Sequence, residues 1–123
     1  VVGLGGIGMC LAERLNSFGV EVIGVDNEYK EMLSFIKKIY DPSKLIDIVS
    51  KMDMVFCCAP LTCQTNKMFN KEIFNSFKKN SNFVSVSRGG CVDTNELMRR
   101  GLGLNVDALS QASSSDSQAF CQT

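Results

Sequence analysis

The apolar positions of this chain change their period repeatedly along its length. From Ile7, the residues Cys10, Leu11, Leu15 and Phe18 recur at helical spacing, with Glu13, Arg14 and Asn16 on the other face. Gly19 stands where such a helix stops. The stretch before it, 1–4, reads as the end of a strand. "VEVIGVD" over 20–26 is rich in β-branched residues and alternates, which predicts a short buried strand ending at Asp26. "EYKEMLSF" fits a short helix and "FIKKIY" a strand. "DPSKLIDIVSKMD" predicts a helix with Pro42 in its first turn and Leu45, Ile48, Val49 and Met52 along one face.

The second half repeats the alternation. "MVFCCAP" over 54–60 predicts a strand stopped by Pro60. Phe69, Ile73, Phe74 and Phe77 mark a further helix, with Lys78 and Lys79 placed to suit the dipole at its carboxyl end. "NFVSVS" over 82–87 is a strand and "RGG" a sharp turn. "DTNEL" over 93–97 starts a helix, with Asp93 as N-cap and Glu96 as the other member of a capping box. "LGLNV" over 102–106 reads as one more strand. Strands alternating with helices predict an α/β domain with a Rossmann-type, doubly wound parallel sheet. It is incomplete at both ends, since only Val1 and Val2 precede the first glycine. The domain is expected to span 1–109. The serine-rich stretch 110–123, nearly without apolar residues, is expected to be a disordered tail.

Composition narrows the classes. A chain of 123 residues, 45% hydrophobic, is one globular domain. Thirteen basic and thirteen acidic residues cancel, so no electrostatic footprint for nucleic acid or an anionic membrane is expected. No apolar run is of bilayer-spanning length, no leader is expected, and the expected setting is cytoplasmic. The six cysteines form no C-x-x-C pair and histidine is absent, so no metal site is expected. Reduced thiols follow, with Cys57 and Cys58 as core residues of an apolar strand.

The candidate chemistry begins at Gly3-Leu4-Gly5-Gly6-Ile7-Gly8, a G-x-G-x-x-G. In a dinucleotide fold, Gly3 permits the tight turn, Gly5 lets the backbone approach a pyrophosphate, and Gly8 lets the helix pack on the strand. The helix starting near Gly6 and Ile7 then offers free N–H groups and the positive end of its dipole. Taken alone, the motif is equally a glycine-rich turn. Asp26 gives it context, eighteen residues past Gly8 at a strand end. There a carboxylate accepts hydrogen bonds from both ribose hydroxyls of an adenosine and repels a 2′-phosphate, which favours NAD over NADP. The alternative for Asp26 is a turn residue that ends the strand. Ala59-Pro60-Leu61-Thr62 and Ser87-Arg88-Gly89-Gly90 follow later strands at the same sheet edge, where open α/β sheets bind ligands. Arg88, held by two glycines at that edge, reads as a fork for a carboxylate. Without these neighbours it would read as a solvated surface charge.

The block "GLGGIG…FGVEVIGVD…MDMVFCCAPLTCQTNKMFNKEIFNSFKKNSNFVSVSRGGCVDTNEL" resembles the D-isomer-specific 2-hydroxyacid dehydrogenases, through residue 107 or so. The resemblance implies an NAD-dependent oxidoreductase acting on 2-hydroxy and 2-oxo acids as a homodimer. It implies that Gly6 and Ile7 contact the pyrophosphate and that Asp26 holds the ribose. Cys58, Ala59 and Pro60 would flank the cofactor, with Thr65 nearby. Val86 and Ser87 would touch the nicotinamide side, and Arg88 would orient the substrate carboxylate and 2-oxo group. Asn105 stands where the family carries an aspartate for the nicotinamide carboxamide, and an amide still accepts a hydrogen bond.

Other departures bear on activity. The helix after "VDTNEL" is short for the family. The family's catalytic glutamate and histidine fall where this chain has its serine-rich stretch, and the larger part of the substrate domain would precede Val1. Proton delivery to a developing alkoxide normally uses an imidazole. The isolated chain is therefore expected to be catalytically incompetent. An NAD-sensing, corepressor-like module and a truncated relic are the alternatives.

Overall fold

A computed structural model describes residues 1–28 and 33–100, together with the backbone of Leu104 and Asn105. The stretch 110–123 and the middle of "EYKEMLSF" lie outside the described residues. Helix α1 is Gly6–Ser17, followed by strands β1 (Ile23–Val25) and β2 (Lys38–Tyr40). A 3-10 turn, Pro42–Lys44, leads into α2 (Leu45–Val49) and β3 (Met54–Cys57). Then come α3 (Lys71–Asn75), β4 (Asn82–Ser85), a 3-10 turn Gly89–Cys91, α4 (Thr94–Arg100) and β5 (Leu104–Asn105).

Among the described residues the strand pairs are all parallel: β1 with β2, β3 with β4, and β4 with β5. Val2 joins the two groups through bridges to Val25 and Cys57. Its N–H donates to the Phe56 carbonyl at 2.8 Å, and its carbonyl accepts from Cys58 N–H at 2.7 Å. On the other side Val25 N–H donates to Val1 and Gly3 N–H to Val25, at 2.9 and 2.8 Å. The spatial order is thus β2, β1, the Val2 segment, β3, β4, β5. This is the expected α/β arrangement, and the short first segment suffices to pair the neighbours it touches.

Two apolar clusters hold the layers. Leu4, Ala12, Val22 and Ile36 form one, beside α1. The larger cluster runs from Val2 and Val25 through Leu45, Val49 and Val55 to the residues of α3 and α4. At its centre Phe83, fully buried, meets Phe69 at 4.8 Å between ring centroids and Phe74 edge-on at 5.5 Å. Such ring pairs add to the burial of large side chains, which dominates core energetics.

Several elements are shorter than their apolar period suggests. The strand expected over 20–26 begins only at Ile23, because Val20 N–H turns back to Leu15 O at 3.2 Å and Gly19 adopts φ +81°. Phe69 and Phe77 fall outside α3. Phe69 N–H donates to Cys91 O and its carbonyl accepts from Asp93 N–H, so its backbone serves a bridge to the Val92 segment. Asn70 starts the helix instead, its Oδ1 accepting from Ile73 N–H at 3.1 Å. Lys78 and Lys79 therefore do not close that helix, and Lys78 pairs with Asp53 at 2.6 Å. The capping box is only half formed. Asp93 Oδ1 accepts from Glu96 N–H at 3.4 Å, but Glu96 turns to Arg99 rather than back to Asp93. No described helix is long and apolar enough to cross a membrane.

Candidate functional site

The glycine turn is built by close approach. Gly3 has φ +89°, and a Cβ there would lie 2.5 Å from Ala59 N. The end of β3 thus packs directly on the turn, and only glycine fits both the angle and the space. A Cβ on Gly8 would lie 1.9 Å from Gly3 O, so the first turn of α1 rests on the segment that precedes it. Gly5 and Gly6 differ. A Cβ at either would meet nothing within 4 Å. Gly5 occupies the N-cap of α1 without a side-chain cap, and the first turn carries no acidic residue. The first amides of a helix have no intrahelical acceptor, so those of Gly6, Ile7 and Gly8 remain free for an anion. The Ile7 side chain is 66% exposed above them. Open space, free donors and a dipole end together fit a pyrophosphate.

Asp26 is anchored by this same turn. Its Oδ2 accepts from Leu4 N–H at 2.7 Å and its Oδ1 from Glu28 N–H at 2.8 Å. Each oxygen keeps acceptor capacity for a hydroxyl. The carboxylate lines a cleft of about 540 Å³ that also includes Gly3, Asp41, Ala59, Pro60 and Thr65. Asp41, at the end of β2, was not signalled by its place in the sequence, where it reads as the residue before a helix. Its Oδ1 does accept from Ser43 N–H at 2.9 Å, and that amide holds its carboxyl below the ordinary range. The β1–β2 register sets it beside Asp26, and it lines the same cleft.

The far wall of the cleft is the loop after β3. Thr65 Oγ1 donates to Pro60 O at 2.6 Å and accepts from Thr62 N–H at 2.7 Å. Its hydroxyl therefore fixes the shape of the wall. Gln64 and Met68 complete that side, without a signal in the motif. Cys58, half-buried, lies behind the turn, its Cβ 3.5 Å from where a Cβ on Gly8 would be. Burial pushes its thiol up from the ordinary value.

Val86, Ser87 and Arg88 stand apart from the cleft lining, at the end of β4. Val86 is exposed and its N–H donates to Cys57 O at 3.0 Å. The Ser87 hydroxyl turns inward, 3.1 Å from Cys57 Sγ and 3.0 Å from Ser85 Oγ. Arg88 caps the 3-10 turn with its backbone, its carbonyl accepting from Cys91 N–H at 3.1 Å. Its side chain is exposed, and among the described residues its guanidinium has no acidic partner. Cys57, against the Ser87 hydroxyl, is pushed well above the ordinary thiol range, first by the Cys91 thiol and then by burial. Cys91 Sγ contacts Ala59 O, Pro60 O and Thr65 Oγ1 at 3.8, 3.9 and 3.8 Å. These contacts tie the Arg88 turn to the cleft wall. The backbone of Asn105 pairs with Val84 in β4, and its side chain lies outside the described residues. Among the described residues no cluster of three or more His, Cys, Asp or Glu is placed to hold a metal.

A family profile described as D-isomer specific 2-hydroxyacid dehydrogenase, NAD binding domain, matches residues 1–108. The chain belongs to this family. A glyoxylate reductase of Thermofilum pendens is 32% identical over 99 residues, covering 80% of this chain and 29% of that protein. The NADPH-dependent glyoxylate/hydroxypyruvate reductase SmGhrB of Sinorhizobium meliloti, solved in complex with NADP and malonate, is 26% identical with a TM-score of 0.72. That likeness covers 85% of this chain and 34% of the reductase. Phosphoglycerate dehydrogenase of Lactobacillus plantarum has the same fold, with a TM-score of 0.76 at 24% identity over 93% of this chain and 39% of its own. The chain spans about a third of the length of such relatives. Residues 1–108 correspond to the NAD-binding domain of the family.

Proposed function

We propose that these residues form the cofactor half of an enzyme that interconverts D-2-hydroxy acids and 2-oxo acids with NAD(H). The observation that carries this reading is the uncapped, open start of α1 beside a cleft that ends at Asp26. Gly6 and Ile7 receive the pyrophosphate on backbone N–H groups, Gly5 leaves it room to approach, and Gly3 and Gly8 set the turn that presents them. Asp26 accepts both hydroxyls of the adenosine ribose. Ala59 and Pro60 flank the cofactor with Cys58 behind them, and Thr65 keeps that wall in place. Val86 and Ser87 border the nicotinamide, and the Asn105 amide serves its carboxamide.

Arg88 is the substrate-orienting residue in this reading. A free guanidinium on a short, glycine-backed turn pairs bidentately with a carboxylate and polarises the adjacent 2-oxo group. The bound dinucleotide supplies the hydride. The sequence holds no histidine, so no imidazole here delivers the proton, and turnover by the 123 residues alone is not expected. The substrate acid, a homodimeric assembly and a cytoplasmic setting go with this reading as features of a longer protein.

The test is a fluorescence titration of the chain with NADH. Saturable binding that Asp26→Ala weakens at least about tenfold supports the assignment, a loss the size of one charge-assisted hydrogen bond pair. A linear response up to millimolar NADH overturns it.

A further inference from the structure

We propose that Asp41 is a second selectivity carboxylate of the cofactor cleft, which discriminates against a phosphorylated adenosine ribose and so favours NAD(H) over NADP(H). The inference rests on the cofactor reading above and adds a residue to it.

The geometry is a matter of register. Val25 and Tyr40 are partners in the parallel β1–β2 pair, and each is followed directly by an aspartate. Asp26 N–H still donates to Tyr40 O at 3.1 Å, so the ladder holds to the last residue before both side chains leave the sheet edge. Neighbouring strands run about 4.8 Å apart, which puts the two carboxylates at adjacent positions on one rim. Both line the same cleft, as does Glu28.

The two aspartates are held differently. Asp26 has both oxygens engaged by main-chain amides from the glycine turn and from its own loop. Asp41 is held by Ser43, whose N–H donates to its Oδ1 at 2.9 Å and whose hydroxyl also favours the charged form. Ser43 keeps it ionised. No lysine or arginine is among the described residues that line the cleft. A 2′-phosphate there would add about −1.5 to −2 units of charge facing two fixed carboxylates, with no cation among the described lining residues to answer it. A ribose hydroxyl at the same place would be a donor facing acceptors. Replacing Asp26 alone leaves Asp41 in position, so a single change at the family's ribose residue relaxes the preference only partly.

The test measures NADH and NADPH affinities on the same preparation of the full chain, as wild type, Asp41→Asn, Asp26→Asn and the double variant. Asn at position 41 retains an oxygen for the Ser43 amide. In Asp41→Asn the NADPH-to-NADH affinity ratio is expected to shift about five- to tenfold toward NADPH, as expected for loss of one screened like-charge contact. The double variant shifts further than Asp26→Asn. A ratio unchanged by Asp41→Asn, with NADH binding intact in the wild type, overturns the role of Asp41 and leaves the cofactor reading standing. Failure of wild type to bind either dinucleotide overturns both. A salt titration of the wild type gives an independent check that needs no variant. The NADPH deficit shrinks between low and high salt if it is electrostatic, and a deficit indifferent to salt overturns the proposal.

Discussion

The main-chain amide of Leu4, inside the glycine turn, donates to Oδ2 of Asp26 at 2.7 Å. The carboxylate therefore acts on the turn as well as on whatever occupies the cleft. Leu4 is almost fully buried, and a buried amide left without an acceptor costs about 1–3 kcal/mol. Asp26→Ala should lower stability by that amount while it weakens NADH binding. Asp26→Asn, which keeps one carbonyl oxygen, should lose less of both. Urea unfolding beside the fluorescence titration separates the two effects.

Gly5 and Gly8 answer to different constraints, one on the ligand side of the turn and one on its packing side. Gly8→Ala drives a Cβ into the backbone of Gly3, and overpacking of this kind costs about 2 kcal/mol or more. Gly5→Ala meets open space at an ordinary φ of −78°. It should cost no more than about 1 kcal/mol as an N-cap change, yet fill the space a pyrophosphate takes. The expected pattern is a destabilised Gly8→Ala and a folded Gly5→Ala that binds NADH poorly. Comparable thermal losses in both would contradict this division of roles.

Thr65→Val preserves shape and removes the hydroxyl that bonds Pro60 O and Thr62 N–H. Loss of two such bonds, one of them leaving an amide unpaired, amounts to about 1–3 kcal/mol. The wall of the cleft should loosen with it. Faster amide exchange at Thr62 and a raised Kd for NADH are the expected signs.

The cysteines should separate by rate. Cys10 and Cys63 are exposed, Cys58 is half-buried, and Cys57 and Cys91 are buried. A disulfide reagent at neutral pH should label the exposed pair first and reach Cys57 and Cys91 only on unfolding. Cys57 also predicts a pH dependence. Its folded pKa is raised above the ordinary 9.0, so the unfolded thiol releases its proton first as pH rises. Stability from this source is complete below pH 9.0 and is lost as pH rises toward the folded value. The alkaline limb of a stability curve should therefore be flatter in Cys57→Ser than in wild type.

Local rules made much of this domain legible. The alternation of apolar periods predicts the parallel α/β order, because strand and helix periods are properties of a few consecutive residues. The mechanical requirement at Gly3 and Gly8 follows from motif spacing for the same reason. Phe69 shows where such rules stop: it falls on the helical period, yet its backbone is claimed by Cys91 and Asp93, some twenty residues away. Glu96 has the right spacing for a capping box and a competing partner in Arg99. Asp41 looks local, but its position in the cleft depends on the β1–β2 register. For Phe69 and Asp41 the deciding partner lies well away in the chain, where periodicity carries no information, and for Glu96 two local partners compete and spacing does not choose between them.

Val2 has a mechanical consequence for the whole domain. Among the described residues it is the place where the β1–β2 ribbon and the β3–β4–β5 ribbon meet, through bridges to Val25 and Cys57. A pull that slides one ribbon along the other loads the few hydrogen bonds of Val1, Val2 and Gly3 together, as shear rather than one at a time. The seam that bears this load is continuous with the glycine turn. A ligand gripping that turn would clamp the two ribbons together, and the force needed to part them would rise with its occupancy.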